Sequence, residues 1–161
     1  LTQYAYDSAG RKTSETNANG EVINYTYNAA GDLIRLVDGK SQSTSWGYDQ
    51  FGRGTSKTNA AGVETLGYQY DVNGQLTNRW SLGKGATAYA YDAVGNLTNV
   101  AYASGTVQRF AYDANGRVTN MTDSVGTTTY TYSDFGQLLS EDFDEDQIFE
   151  KLDKKLGELG L

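Results

Sequence analysis

Residues 89 to 98 read Tyr89-Ala-Tyr91-Asp92-Ala-Val-Gly95-Asn-Leu97-Thr98, and one period later the chain reads Phe110-Ala-Tyr112-Asp113-Ala-Asn-Gly116-Arg-Val118-Thr119. The unit is aromatic-x-Tyr-Asp-x-x-Gly-x-Leu-Thr, followed by a polar stretch that contains glycine. It recurs seven times. The second aromatics are Tyr6, Tyr27, Tyr48, Tyr70, Tyr91, Tyr112 and Tyr132, with spacings of 21, 21, 22, 21, 21 and 20 residues. Four residues after each stand Gly10, Gly31, Gly52, Gly74, Gly95, Gly116 and Gly136. A fixed period of this size implies an array of stacked units, not an ordinary globule.

The unit predicts its own local structure. Side chains alternate across a strand, so aromatic-x-Tyr places two rings on one face. Asp-x-x-Gly is a four-residue turn: the carboxylate accepts from the turn backbone and glycine takes positive φ. That pattern predicts a type I turn closed by a glycine bulge. Asp7, Asn28, Asp49, Asp71, Asp92 and Asp113 hold the first turn position, and Ser133 replaces them in the last copy. A second turn is expected near Gly20, Gly39, Gly62, Gly83, Gly105 and Gly126. Each unit is then one hairpin, too small to be stable without its neighbours. The expected fold is all-β: a repetitive antiparallel hairpin strip, a curved open sheet or partial shell, with a short C-terminal helix. Residues 1–140 form the seven repeats, and 141–161 form an acidic linker plus helix.

Composition narrows the function. Thirteen tyrosines accompany one methionine and no cysteine, histidine or proline. Without cysteine or histidine there is no thiolate metal site and no ordinary neutral-pH base. No apolar run approaches membrane-spanning length. Residues 1–140 hold 10 basic and 12 acidic side chains, whereas 141–161 hold 3 and 8. A nearly neutral array with an acidic end is a poor nucleic-acid surface.

Individual copies depart from the pattern. Lys12 stands where others carry Leu or Val, a weak position tolerable near an array end. Trp46 enlarges the first ring of the third copy, and Gly54 weakens its return strand. Phe51 is expected to fold back over that gap. After Ser140, residues 141 to 146 read as an exposed acidic connection. Beyond it Ile148, Phe149, Leu152, Leu156 and Leu159 recur at helical spacing, one apolar stripe. A helix this short is marginal alone. It is expected to cap an open sheet edge or to pack on a copy in a partner chain. The abrupt change in composition leaves a foreign appendage as an alternative.

The unit resembles the tyrosine-aspartate repeat of RHS proteins, found in bacterial polymorphic toxins, insecticidal toxin complexes and the animal teneurins. The resemblance covers residues 1 to 140. It implies a continuous sheet that spirals into a hollow shell, enclosing a toxic domain or supporting an adhesion module, and a secreted or cell-surface bacterial location. Under it, the residues with a role are structural. Tyr4, Tyr25, Trp46, Tyr68, Tyr89, Phe110 and Tyr130 would stack as one aromatic ladder, the seven second-position tyrosines as another, and the Asp and Asn residues would hold the turns. Seven repeats are too few to close a large shell. Within residues 1–161 nothing reads as a plug domain, a proline-rich segment ending in an aspartyl cleavage site, or a toxin domain. The chain therefore reads as a piece of shell wall or a short array, with the rest of a shell or its cargo as partner.

No chemistry stands out against this background. Calcium wants six to eight converging oxygens, and each turn offers one regular carboxylate. No carboxylate pair is marked out for glycoside hydrolysis, and without histidine a Ser-His-Asp triad is impossible. Gly83-Lys84-Gly85 lacks the phosphate-loop spacing. The chain is therefore expected to be non-catalytic, with no cofactor and no metal. Binding is the alternative: exposed Tyr and Trp rings could stack on a cell-surface glycan or bury against protein. Trp80, outside both ladders, is the candidate ligand contact. Self-association through open strand edges or the C-terminal helix is the third reading.

Overall fold

The computed structural model describes residues 1–144 and 148. Phe149, Leu152, Leu156 and Leu159 of the expected helix stripe lie outside the described residues, and Ile148 is exposed. Apart from Ile148, a helical residue whose N–H donates to the Asp144 carbonyl (3.2 Å), the described residues are all-β. Fourteen strands hydrogen-bond in chain order into one open antiparallel sheet. Contacts group the chain into two compact units, Leu1–Asp71 with Asn78–Gly85, and Val72–Thr77 with Ala86 onward.

The first unit carries β1 (Gln3–Tyr6), β2 (Lys12–Thr16), β3 (Val22–Tyr27), β4 (Leu33–Val37), β5 (Ser43–Tyr48), β6 (Gly54–Thr58) and β7 (Glu64–Tyr70), with most of β8 (Leu76–Ser81). The second carries β9 (Gly85–Tyr91), β10 (Leu97–Tyr102), β11 (Val107–Tyr112), β12 (Val118–Thr122), β13 (Thr127–Tyr132) and β14 (Leu138–Phe143), apart from Gly85 itself. Strand β14 runs beyond Ser140, because Glu141 pairs with Tyr130, Asp142 with Thr129 and Phe143 with Thr128. The sheet thus claims residues that the acidic composition marks as a connection.

The repeat turns share one construction. Gly10 N–H donates to the Asp7 carbonyl (3.0 Å) and Asp7 N–H to the Arg11 carbonyl (2.9 Å). The same pair of bonds closes the turns at Asn28, Asp49, Asp92, Asp113 and Ser133. The glycine takes positive φ, +78° at Gly10 and +76° at Gly116. The register then slips just before the second tyrosine, between Ala5 and Tyr6, Thr26 and Tyr27, and Ala111 and Tyr112. This is the bulge that an αL glycine produces.

The sheet has almost no interior. Val100, 6% exposed, is the one buried hydrophobic side chain among the described residues, and Thr128 the one buried polar one. Most strand residues are half-buried, covered by neighbours along their own face. Phe51 does not fold back over Gly54. It is 71% exposed at the turn tip, with the Arg53 guanidinium 5.0 Å from its ring. The space beside Gly54 stays open.

Candidate functional site

The aromatic face is the most ordered chemical feature of the chain. Register places the first-row rings opposite Glu15, Leu36, Lys57, Val100, Met121 and Glu141. Tyr4 and Tyr6, on the edge strand β1, are 53% and 60% exposed. The remaining ladder rings are half-buried.

The second-row hydroxyls have a use that the sequence pattern did not announce. Within the first unit, Tyr27 donates to the Lys12 carbonyl (2.8 Å), Tyr48 to Leu33 (3.0 Å) and Tyr70 to Gly54 (2.9 Å). Within the second, Tyr91 donates to Leu76 (3.0 Å), Tyr112 to Leu97 (2.7 Å) and Tyr132 to Val118 (2.8 Å). Each acceptor is the residue two after the turn glycine of the preceding repeat. One tyrosine tip therefore pins each hairpin to the one before it. The signal lay in the residue choice. The first ring varies among Tyr, Trp and Phe, while the second is always Tyr.

The turn carboxylates make a second tie. Asp113 Oδ1 accepts from the N–H groups of Asn115 (2.9 Å) and Arg117 (3.0 Å), and Oδ2 accepts from Arg117 Nε (2.6 Å). Arg117 then reaches the next repeat, with Nη1 on the Ser133 carbonyl (3.2 Å) and its guanidinium 4.8 Å from the Tyr132 ring. Arg11 does the same from Asp7, bonding the Asn28 carbonyl (3.2 Å) and lying 4.8 Å from the Tyr27 ring. Arg53 pairs with Asp49 and lies 4.5 Å from Tyr70. Bonds from the Arg11 backbone and then its side chain hold the Asp7 carboxyl below its ordinary value. The Arg117 backbone N–H does this first for Asp113, and the Asn96 side chain for Asp92. At Asn28 the polarity is reversed: its amide donates to Asp32 Oδ2 (2.9 Å). In the last turn Ser133 Oγ accepts from Gln137 N–H (3.1 Å), and Asp134 stands exposed.

Lys12 is less of a misfit than its station suggests. Its Nζ lies between the Tyr25 and Tyr4 rings, 4.6 and 5.6 Å from their centroids, and bonds Glu15 (2.8 Å). The Glu15 bond, then Tyr25, raises its pKa.

The opposite turns use the same side-chain device. Asn17 Oδ1 accepts from Asn19 and Glu21 N–H, Asp38 Oδ1 from Lys40 and Gln42, and Asn59 Oδ1 from Ala61 and Val63. Asx-x-x-Gly occurs a second time in the first and third repeats, at Asn17 to Gly20 and Asn59 to Gly62, so those two turns were readable from spacing, whereas the Asp38 turn has Ser41 at the glycine position. Two glycines are displaced from their expected role. In the Asp38 turn the positive φ falls on Ser41 (+64°), not Gly39, and in the fourth repeat on Gly85 (+71°), not Gly83.

Trp80 sits on the face opposite the ladders, where a Cβ built on the buried Gly67 would lie 3.8 Å from the Trp80 Cβ. Thr55, Glu64, Gln69 and Asn78 complete a shallow hollow of about 160 Å³ around it. Trp80 itself is half-buried. No cluster of three or more acidic side chains suited to a metal occurs among the described residues, nor any helix long and apolar enough to cross a membrane.

The family model described as RHS Repeat matches residues 27–64, 70–107, 91–128 and 112–142, well over half of the chain. No curated protein matches the sequence. Among solved structures, the chain is similar to TcdB2-TccC3 (TM-score 0.66, 18% identity, covering 87% of this chain and 9% of that one). It is also similar to TcdB2-TccC3 without its hypervariable C-terminal region (TM-score 0.67, 18% identity, 87% and 9%). A third is the Photorhabdus luminescens Tc holotoxin pore (TM-score 0.62, 19% identity, 87% and 8%). At these identities the likeness is one of fold, and the chain spans less than a tenth of each relative.

Proposed function

Because this chain belongs to the RHS repeat family, we propose that it is a non-catalytic wall segment of an RHS-type shell, secreted or displayed at a bacterial cell surface, whose partners are the rest of that shell and its cargo. The observation that carries this reading is the tie between repeats. In each unit, tyrosine hydroxyls and arginine side chains bind one hairpin to the next. Side chains so engaged build a continuous barrier. A glycan-binding surface would instead need its rings free, and beyond β1 the ladder rings are half-buried. Under the same reading the aromatic ladders and turn carboxylates are structural, and Trp80 packs within the sheet and does not serve as a ligand contact.

The test exploits the absence of cysteine. Thr26→Cys probes one face of the sheet and Thr44→Cys the other. Each is made in the isolated chain and in the same chain grafted in place of the matching repeats of TcdB2-TccC3. A wall segment keeps both thiols reactive toward a bulky maleimide when isolated and loses one of them in the folded graft. Equal labelling of both faces in a folded graft overturns the reading.

A further inference from the structure

We propose that the hollow between the Asp92 and Asp113 turns, within the second unit, is a docking socket for an arginine side chain of a partner polypeptide, which takes the place that the chain's own arginine holds in other repeats. This goes beyond the wall reading and does not depend on it.

The station after the turn glycine decides what bridges each hairpin to the next. It holds Arg11, Asp32, Arg53, Gln75, Asn96, Arg117 and Gln137. Where it is arginine, the side chain pairs with its turn carboxylate and lies over the next second-row ring, 4.8 Å from Tyr27, 4.5 Å from Tyr70 and 4.8 Å from Tyr132. Arg11 and Arg117 also donate to the carbonyl at the head of the next turn, Asn28 and Ser133. Asn96 is too short for this and donates backwards, its amide nitrogen bonding Asp92 Oδ2 (2.9 Å). Its oxygen is left facing the next turn, 3.8 Å from where a Cβ on Gly116 would lie. The Asp113 carbonyl accepts from Gly116 N–H (3.0 Å) but from no side chain among the described residues, and no cation among them covers the Tyr112 ring.

At this place the surface holds a hollow of about 530 Å³, with Asp92, Val94, Asn96, Phe110, Tyr112 and Ala114 in its lining. Its polar chemistry is one-sided. Asp92 Oδ2, Asn96 Oδ1 and the Asp113 carbonyl are all acceptors, and the Asp92 carboxylate carries a charge that no Arg or Lys pairs among the described residues. Burial, then the Asp92 charge, raises the pKa of the Tyr112 phenol, so the field of that carboxylate reaches the ring that a cation would cover. Val94 and Ala114 are exposed, which opens the hollow to solvent and offers apolar contact to an aliphatic stem. Several acceptors beside an aromatic ring call for a planar fork of N–H donors on an apolar stem. Arginine has that form, whereas a lysine ammonium is a compact point charge.

The test is an NMR titration of the full chain with N-acetyl-arginine-N-methylamide, set against its neutral isostere N-acetyl-citrulline-N-methylamide. The arginine probe should shift the backbone amides of Asn96, Tyr112, Asp113 and Ala114 along one saturable curve. The citrulline probe, which keeps the stem and loses the charge, should bind about tenfold more weakly. Asn96→Arg supplies a guanidinium from the chain itself, as Arg117 does one repeat later, and should abolish these shifts. Asp92→Ser keeps a turn acceptor, as Ser133 does in the last turn, but removes the charge, and should weaken binding about tenfold. The same spectra show whether each variant is folded. Absence of saturable shifts at these amides overturns the proposal. So does equal binding of the two probes, or binding that is unchanged in either folded variant.

Discussion

At the residue scale the chain separates two kinds of aromatic position that hydrophobicity treats alike. The first ring is needed for its area and has no fixed hydrogen-bond partner from repeat to repeat, so Tyr, Trp and Phe serve there. The second must also donate a hydrogen bond to a neighbouring repeat, so it is Tyr throughout. Tyr112→Phe should therefore cost about 1 kcal/mol of unfolding free energy, the net worth of one hydrogen bond, because it leaves the Leu97 carbonyl without its 2.7 Å partner. Tyr89→Phe, whose hydroxyl has no such role, should stay within a few tenths of a kcal/mol. Denaturant titration of the two variants checks the difference, and equal losses would refute the distinction. The positions of both rows were legible in the sequence, because alternation fixes which residues share a face. The hydroxyl's destination was not, because its acceptor is a backbone carbonyl of another hairpin, and a carbonyl carries no residue identity to read.

At the element scale an Asx side chain closes most turns, at both ends of the first three hairpins, and the residue after the turn glycine ties forward at Arg11, Gln75 and Arg117. The first-turn construction was legible because Asp, glycine and their spacing are local. The glycine assignments of the second turn were not wholly so. Asp38-Gly39-Lys40-Ser41 keeps the hydrogen-bond pattern while its αL position falls on serine. Spacing from Asp38 marks that position better than residue type does. The carboxylates at Asp7, Asp92 and Asp113 are held below their ordinary values by turn bonds. A depressed folded-state pKa contributes stability above the unfolded value, about 3.9, and loses it as pH falls through the folded value. The melting temperature should thus be insensitive to these groups near neutrality and drop in acid, starting near that unfolded value. Asp113→Asn keeps an Oδ1 acceptor but cannot titrate, so its melting curve should depend less steeply on acid pH than the parent's. An unchanged acid slope would show that the turn carboxylate is not responsible.

At the scale of the whole molecule, the period announced an array and the structure delivered strands paired in chain order. The end of the array was less legible. Glu141 and Asp142 belong to β14 despite their charge, since backbone pairing with Thr129 and Tyr130 needs no apolar side chain. The feature with the widest consequence is the near-absence of an interior, Val100 being the one buried hydrophobic side chain among the described residues. Unfolding such a sheet exposes little new hydrocarbon while hydrating many backbone groups, and these two contributions to heat capacity have opposite signs. Differential scanning calorimetry should therefore give a heat-capacity increment per residue below the usual 12–15 cal/mol/K. The curve of stability against temperature is then shallow, and neither cooling nor moderate warming moves the protein far from its optimum.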